Sequence, residues 1–163
     1  MSIDLKNIKL IISEMDGIIT EGLITSDELG NTLFKEYCFK DFEAINEIKK
    51  YFKFVFIAKD NAINYNLCKR KNIPYFWAKN KEKEKILVEE ILPRYDAWLE
   101  NTIYIGSSFS DEKAMALSKY SVCTYDAPYS IKKIAGVVLS TPGGCGVLSD
   151  FYETVILYNL STI

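Results

Sequence analysis

The 163-residue chain contains no histidine. That absence removes every mechanism built on a Ser–His or Cys–His pair and every zinc site with an imidazole ligand. Cysteine is scarce as well: Cys38, Cys68, Cys123 and Cys145 are widely scattered and form no CxxC pair. Such a pattern reads as structural thiols in a reducing, cytoplasmic compartment, ahead of a zinc site or a disulfide framework. No apolar run approaches the length that spans a bilayer, and the N-terminus lacks a signal-peptide pattern, so no membrane partner is expected. An excess of one charge sign is also missing. A net charge of −2 gives no general reason to expect nucleic acid or an anionic membrane as partner. Internal repeats, linkers and low-complexity segments are absent from the sequence.

What is present is an ordinary soluble composition, 48% hydrophobic and 26% charged, in a length that suits one domain over residues 1–163. Ile8 to Ile12 is a short, isoleucine-rich apolar run, the mark of a strand buried on both faces of a parallel sheet. Similar runs recur at Phe54–Ala58, Ile73–Ala78, Thr102–Gly106, Ser121–Thr124 and Gly136–Leu139. Helical spacing falls between them. Asp41 is placed to cap a helix carrying Phe42, Ile45, Ile48 and Phe52, and another helix runs through Tyr65, Leu67 and Cys68 toward Lys71. Ile86, Leu87, Ile91 and Leu92 mark a helix that Pro93 should stop, and Pro128 is placed to start a later one. Leu148, Phe151, Val155 and Ile156 mark a C-terminal helix after the glycine-rich turn at Gly143–Gly146. Strand–helix alternation from end to end predicts an α/β fold, Rossmann-like, with a mainly parallel sheet and helices on both faces. Between about residues 23 and 39, two β-prone runs flank a polar, glycine-containing turn, predicting a projecting hairpin.

The first strand ends in Ser13-Glu14-Met15-Asp16-Gly17, two carboxylates one residue apart followed by glycine. The carboxyl ends of parallel strands are where open α/β sheets place their chemistry. Taken with the strand end at Ala58, the lysine-rich stretch holding Lys81, Lys83 and Lys85, and Gly106-Ser107-Ser108-Phe109-Ser110-Asp111, this tip resembles the four motifs of the haloacid dehalogenase superfamily. The hairpin, the lack of a large cap insertion and the glycine-rich tail resemble its KDO 8-phosphate phosphatase branch, whose relatives include a domain of some sialic acid cytidylyltransferases. The likeness covers roughly residues 6 to 157.

The resemblance implies a magnesium-dependent phosphatase in which the first motif, Asp-x-Asp-Gly, supplies nucleophile, general acid–base and metal ligands. On that pattern the catalytic positions are Glu14, Asp16 and Lys85, with Lys81 and Lys83 as alternatives for the lysine. The metal positions are Glu14, Asp16 and Asp111, and the substrate-binding positions are Ala58, Lys59 and Asp60. It also implies a homo-oligomer, a tetramer built through the hairpin, and a small phosphorylated sugar acid as ligand. Several positions depart from the pattern. Glu14 replaces an aspartate, moving the oxygens out by roughly 1.5 Å, one carbon–carbon bond. Ala58 replaces a serine or threonine and cannot donate a hydrogen bond. Asp60 stands near where many relatives have arginine, Ser107 and Ser108 replace metal-binding carboxylates, and Cys145 replaces a tail arginine.

These departures point to a catalytically impaired phosphatase homologue that acts by oligomeric assembly or ligand binding. The alternatives are an active magnesium-dependent phosphatase on a phosphorylated sugar acid such as KDO 8-phosphate, and a metal-free binder of a small sugar or nucleotide-sugar. The cofactor is correspondingly magnesium or none. Blander roles stand beside each assignment. Glu14 and Asp16 can be strand-end polar residues bonded to nearby backbone, Asp111 a helix cap, and the lysines a solvated helix face.

Overall fold

The computed structural model describes residues 3–59, 62–79 and 81–161. Its strands are β1 (Leu10–Glu14), β2 (Thr25–Ser26), β3 (Thr32–Phe34), β4 (Lys53–Ala58), β5 (Tyr75–Trp77), β6 (Thr102–Gly106), β7 (Tyr120–Cys123) and β8 (Val137–Val138). Six of them form a parallel sheet in the order β5-β4-β1-β6-β7-β8. The chain winds outward from β1 in one direction through β4 and β5, then returns to the other side of β1 with β6. This reversal makes the carboxyl ends of β1 and β6 the topological switch point of the sheet, where open α/β folds place the crevice that binds ligands.

All five residues of β1 are buried, as its unbroken apolar pattern requires. Alternation along the strand divides them between two cores. Ile11 joins Ile45, Ile48, Phe54, Phe56, Cys68, Leu148 and Phe151 on one face. Leu10 and Ile12 join Val55, Ile57, Ile86, Leu87, Tyr104, Met115 and Ile131 on the other. The first face carries α1 (Phe39–Ile48), α2 (Ala62–Lys71) and the C-terminal helix α6 (residues 147–161). The second carries α3 (residues 83–94), α4 (Glu112–Leu117) and α5 (Tyr129–Ile134). Helices cover both faces of the sheet, as the sequence pattern predicts.

Helix boundaries differ from expectation in two helices, and α1 also ends at Ile48, short of Phe52. α1 begins at Phe39, with Cys38 at its cap position, so Asp41 lies inside the first turn. The Asp41 carboxylate instead reaches across to the start of α6, accepting bonds from the amides of Leu148 (2.8 Å) and Ser149 (3.2 Å). It caps a helix more than a hundred residues away. Pro93 does not stop α3 either. A π-turn over Leu87–Ile91 widens the helix just before it, and the last segment, Leu92–Arg94, accommodates the proline in its first turn.

β2 and β3 pair antiparallel as a hairpin that follows the first site loop. Its turn is held by Asp27, whose carboxylate accepts the amides of Leu29 (2.9 Å) and Asn31 (2.8 Å). Leu23, Ile24, Leu33, Phe34 and Phe39 are exposed around it. Tyr37, a few residues on, turns inward and donates to Asn64 at 2.8 Å. Among the described residues no helix is long and apolar enough to cross a membrane. All four cysteines are free, and burial pushes the thiols of Cys68 and Cys123 up to about 12 and about 11.

Candidate active site

The chain leaves β1 through a tight turn in which Gly17 takes a left-handed backbone (φ +84°). The Thr20 hydroxyl accepts from the amides of Gly17 (3.2 Å) and Gly22 (3.0 Å), fixing the loop that displays Glu14 and Asp16. Across the crevice, β6 ends at Gly106. A side chain there would come within 2.6 Å of Asp111, so glycine lets the following loop fold back tightly against the strand.

Glu14 is 4% exposed, and both of its oxygens are engaged. One accepts the amides of Met15 (2.9 Å) and Asp16 (3.4 Å), and the other pairs with the Lys83 ammonium. Lys83 also pairs with Asp111 at 2.7 Å, so it bridges the first strand tip to the loop after β6. Asp111 receives the Tyr104 hydroxyl (3.0 Å) on that same oxygen, while its second oxygen accepts the amides of Ser107 and Ser108 and the Ser108 hydroxyl, each at 3.0 Å. Its side chain is the first-turn acid of a capping box on the one-turn helix Phe109–Asp111, accepting the amide of Ser108 at the cap position. It gathers its own loop around the lysine. Burial draws the Lys83 pKa below that of an exposed lysine, while the charge and hydrogen bond of Asp111 oppose the drop. Burial, seconded by the Asp111 charge, lifts the Tyr104 hydroxyl well above the usual tyrosine range, so it serves as a donor.

Asp16 belongs to a second cluster. Each of its oxygens accepts from the Lys35 ammonium, at 3.0 and 2.9 Å. The Asn64 amide (3.0 Å) and the Thr20 hydroxyl (3.4 Å) complete four contacts. Lys35 comes from the hairpin, just beyond β3, and its side chain is 3% exposed. The hydroxyl of Ser107 lies 3.5 Å from the Asp16 carbonyl oxygen, a long contact that joins the two loops.

The fold thus brings Glu14, Asp16 and Asp111 to one crevice, but it does not bring Lys85 there. Lys85 is exposed and pairs with Glu82 at 3.2 Å, while Lys81 pairs with Glu90 at 2.8 Å. Helical geometry separates them from Lys83, which opens α3 and points inward. Ala58 is buried at the end of β4, and Lys59 is exposed, its carbonyl accepting the Trp77 indole at 2.9 Å. Asp60 lies outside the described residues. Cys145 is exposed on the tail turn. Lys35, Asn64, Thr20 and Tyr104 are partners that no motif spacing singled out. The sequence does carry one faint signal for Lys35, a lysine set within the apolar hairpin run.

The donor set does not match what magnesium asks for. That ion takes oxygen ligands in near-ideal octahedral geometry and is usually anchored by carboxylates. Here the carboxylates are already bonded to lysines and amides, and the loop after β6 offers serine hydroxyls. Among the described residues no group of three or more Cys, Asp or Glu side chains is arranged to hold a metal ion.

No family model matches the chain. It is 27% identical over 154 residues to the 3-deoxy-D-manno-octulosonate 8-phosphate phosphatase of Haemophilus influenzae, an alignment spanning 93% of this chain and 84% of that protein. The cobalt-bound structure of the Haemophilus influenzae phosphatase superposes with a TM-score of 0.86 at 26% identity, covering 95% of this chain and 91% of that one. The Moraxella catarrhalis phosphatase, solved with magnesium, phosphate and KDO, shares the fold with a TM-score of 0.85 at 19% identity, over 96% and 90% of the two chains.

Proposed function

The chain belongs to the haloacid dehalogenase superfamily, in its KDO 8-phosphate phosphatase-like branch, and from that premise we propose that it is a phosphatase homologue impaired in phosphoryl transfer, acting through oligomeric assembly or ligand binding. The observation that carries this reading is the saturation of Asp16. A residue that must give and take protons needs an oxygen free to face the substrate. Both oxygens of Asp16 already accept from Lys35, with Asn64 and Thr20 filling the remaining positions. Glu14 adds a second obstacle. Its longer side chain displaces the attacking oxygen, and misplacement of about 1 Å can cost on the order of 10²-fold in rate. Ala58, at the end of β4, adds a third, since it has no donor for a transferring phosphoryl group.

The scaffold that would carry the remaining role is intact. The exposed apolar side chains of the hairpin form a surface suited to a second copy of the chain, and a homotetramer is the proposed assembly. The proposed ligand is a small sugar acid, phosphorylated or not, entering the crevice between β1 and β6. A slow magnesium-dependent phosphatase is the second reading, favoured by the Glu14–Lys83–Asp111 chain, which keeps a cation at the nucleophile position.

A turnover assay with an aryl phosphate and with KDO 8-phosphate, in magnesium, separates the two. The wild-type protein is expected to stay at the level of the Asp16→Ala variant. Wild-type turnover well above that level, abolished by Asp16→Ala, would establish the phosphatase and overturn the proposal.

A further inference from the structure

We propose that this site operates without a divalent cation, its coordination places taken by the chain's own donors and its balancing charge supplied by lysines. The inference rests on the reading above that these loops form one altered phosphatase-type site. Three independent features carry it.

The first is the chemistry of Ser107. It faces the Asp16 carbonyl across the crevice, with the two oxygens 3.5 Å apart. A neutral hydroxyl at this point offers a hard cation far less than a carboxylate would. A side chain on Gly17 would collide with the same Ser107 hydroxyl, so the two loops already meet there.

The second feature is the state of the carboxylates. Both oxygens of Glu14, of Asp16 and of Asp111 accept hydrogen bonds from groups of the chain. A metal would have to displace amide or ammonium donors that are themselves buried, leaving those donors unpaired.

The third is charge. Lys83 and Lys35 stand against Glu14, Asp111 and Asp16 at ion-pair distance, so most of the negative charge is already balanced. Lysine 35 reaches the site from the hairpin, a different element from the one that supplies Lys83. The compensation is therefore built from two sides of the crevice.

The test is a titration of the purified protein with Mn²⁺, read by the electron paramagnetic resonance signal of the free ion. Thermal melting in magnesium and in chelator runs beside it. The wild-type protein is expected to leave the Mn²⁺ signal undiminished and to melt at the same temperature in both buffers. The Glu14→Asp/Ser107→Asp double variant, which restores a carboxylate pair and draws the first carboxylate one methylene back from Lys83, is expected to bind about one ion per chain and to melt higher in magnesium than in chelator. If the double variant does not fold, Ser107→Asp alone serves for the comparison. Saturable uptake of Mn²⁺ by the wild type would overturn the proposal. So would a carboxylate-restored variant as indifferent to metal as the wild type, because the missing ligands would then not be what excludes the ion. The outcome is separable from the loss of turnover: phosphatase activity that persists in chelator overturns impairment alone, and metal uptake without turnover overturns metal independence alone.

Discussion

Replacing Lys83 by methionine isolates the energetic weight of the crevice. The Lys83 side chain is 1% exposed, and its partners Glu14 and Asp111 are 5% and 0% exposed. Methionine fills similar space but leaves two carboxylates facing each other in a buried setting with their shared cation gone. Removing one partner of a buried ion pair costs about 3–5 kcal/mol, because the charge left behind is uncompensated. For a domain of this size each kcal/mol moves the melting temperature by roughly 2–4 °C, so a drop of about 10 °C is expected. The matched control is Lys85→Met, two positions along the same helix. Lys85 and Glu82 are 59% and 51% exposed, and a pair so open to solvent adds little to stability. Urea unfolding monitored by circular dichroism gives both numbers. The Lys83→Met deficit should also shrink in mild acid, since the orphaned carboxylates take up a proton and cease to repel. A Lys83→Met cost below about 1 kcal/mol, or a Lys85→Met cost as large, would refute the placement of the buried lysine.

Asp41 makes a pH prediction. Burial raises its pKa from 3.8 to about 6, against the opposing amides of Ser149 and Leu148. A carboxyl whose folded pKa is raised gives its full relative stability when both states are protonated, below the unfolded value, and loses it as pH rises through the folded value. Between about pH 4 and pH 7 the wild type should therefore lose about 3 kcal/mol relative to Asp41→Asn; parallel stability curves for the two proteins would contradict this. At the hairpin, the wild type should scatter light as a tetramer and a Leu33→Asp/Phe34→Asp double variant as a smaller species. A monomeric wild type would remove the assembly role.

The architecture was legible because burial leaves a periodic trace. The runs at Ile8–Ile12, Phe54–Ala58 and Thr102–Gly106 became β1, β4 and β6, and the spacing of Phe42, Ile45 and Ile48 became the buried face of α1. Capping was less legible. Asp41 has the right chemistry for a cap, and only the packing of α1 against α6 determines which helix it caps. The Pro93 boundary failed for a related reason, as a π-turn lets a helix absorb a proline that local rules would have end it. Within the site, Glu14, Asp16 and Asp111 could be located from motif order, since each lies at or just beyond a strand end. The choice among Lys81, Lys83 and Lys85 turns on helix phase at the first turn of α3, which three closely spaced lysines leave undetermined. Lys35 and Asn64 reach Asp16 from elements 19 and 48 residues along the chain, distances over which sequence carries no contact information.

One property of β1 bears on why so much of the crevice is kept. A strand with polar residues on one face is locked in register, because a slip of one residue exposes its apolar side chains. β1 has a weaker lock of this kind, because Leu10, Ile11 and Ile12 are apolar and buried whichever core they enter. A one-residue slip would exchange them between the two layers and set one polar neighbour, Lys9 or Ser13, at a core position. It would also swing Glu14 away from Lys83 and pull the Gly17 turn out of alignment with the β6 loop. The charged tip can thus act as the alignment peg of the central strand, a hypothesis for which the Lys83→Met deficit is a direct measure. On that view the charged tip is held in place by the need to thread one strand correctly between two cores, whatever chemistry the site carries.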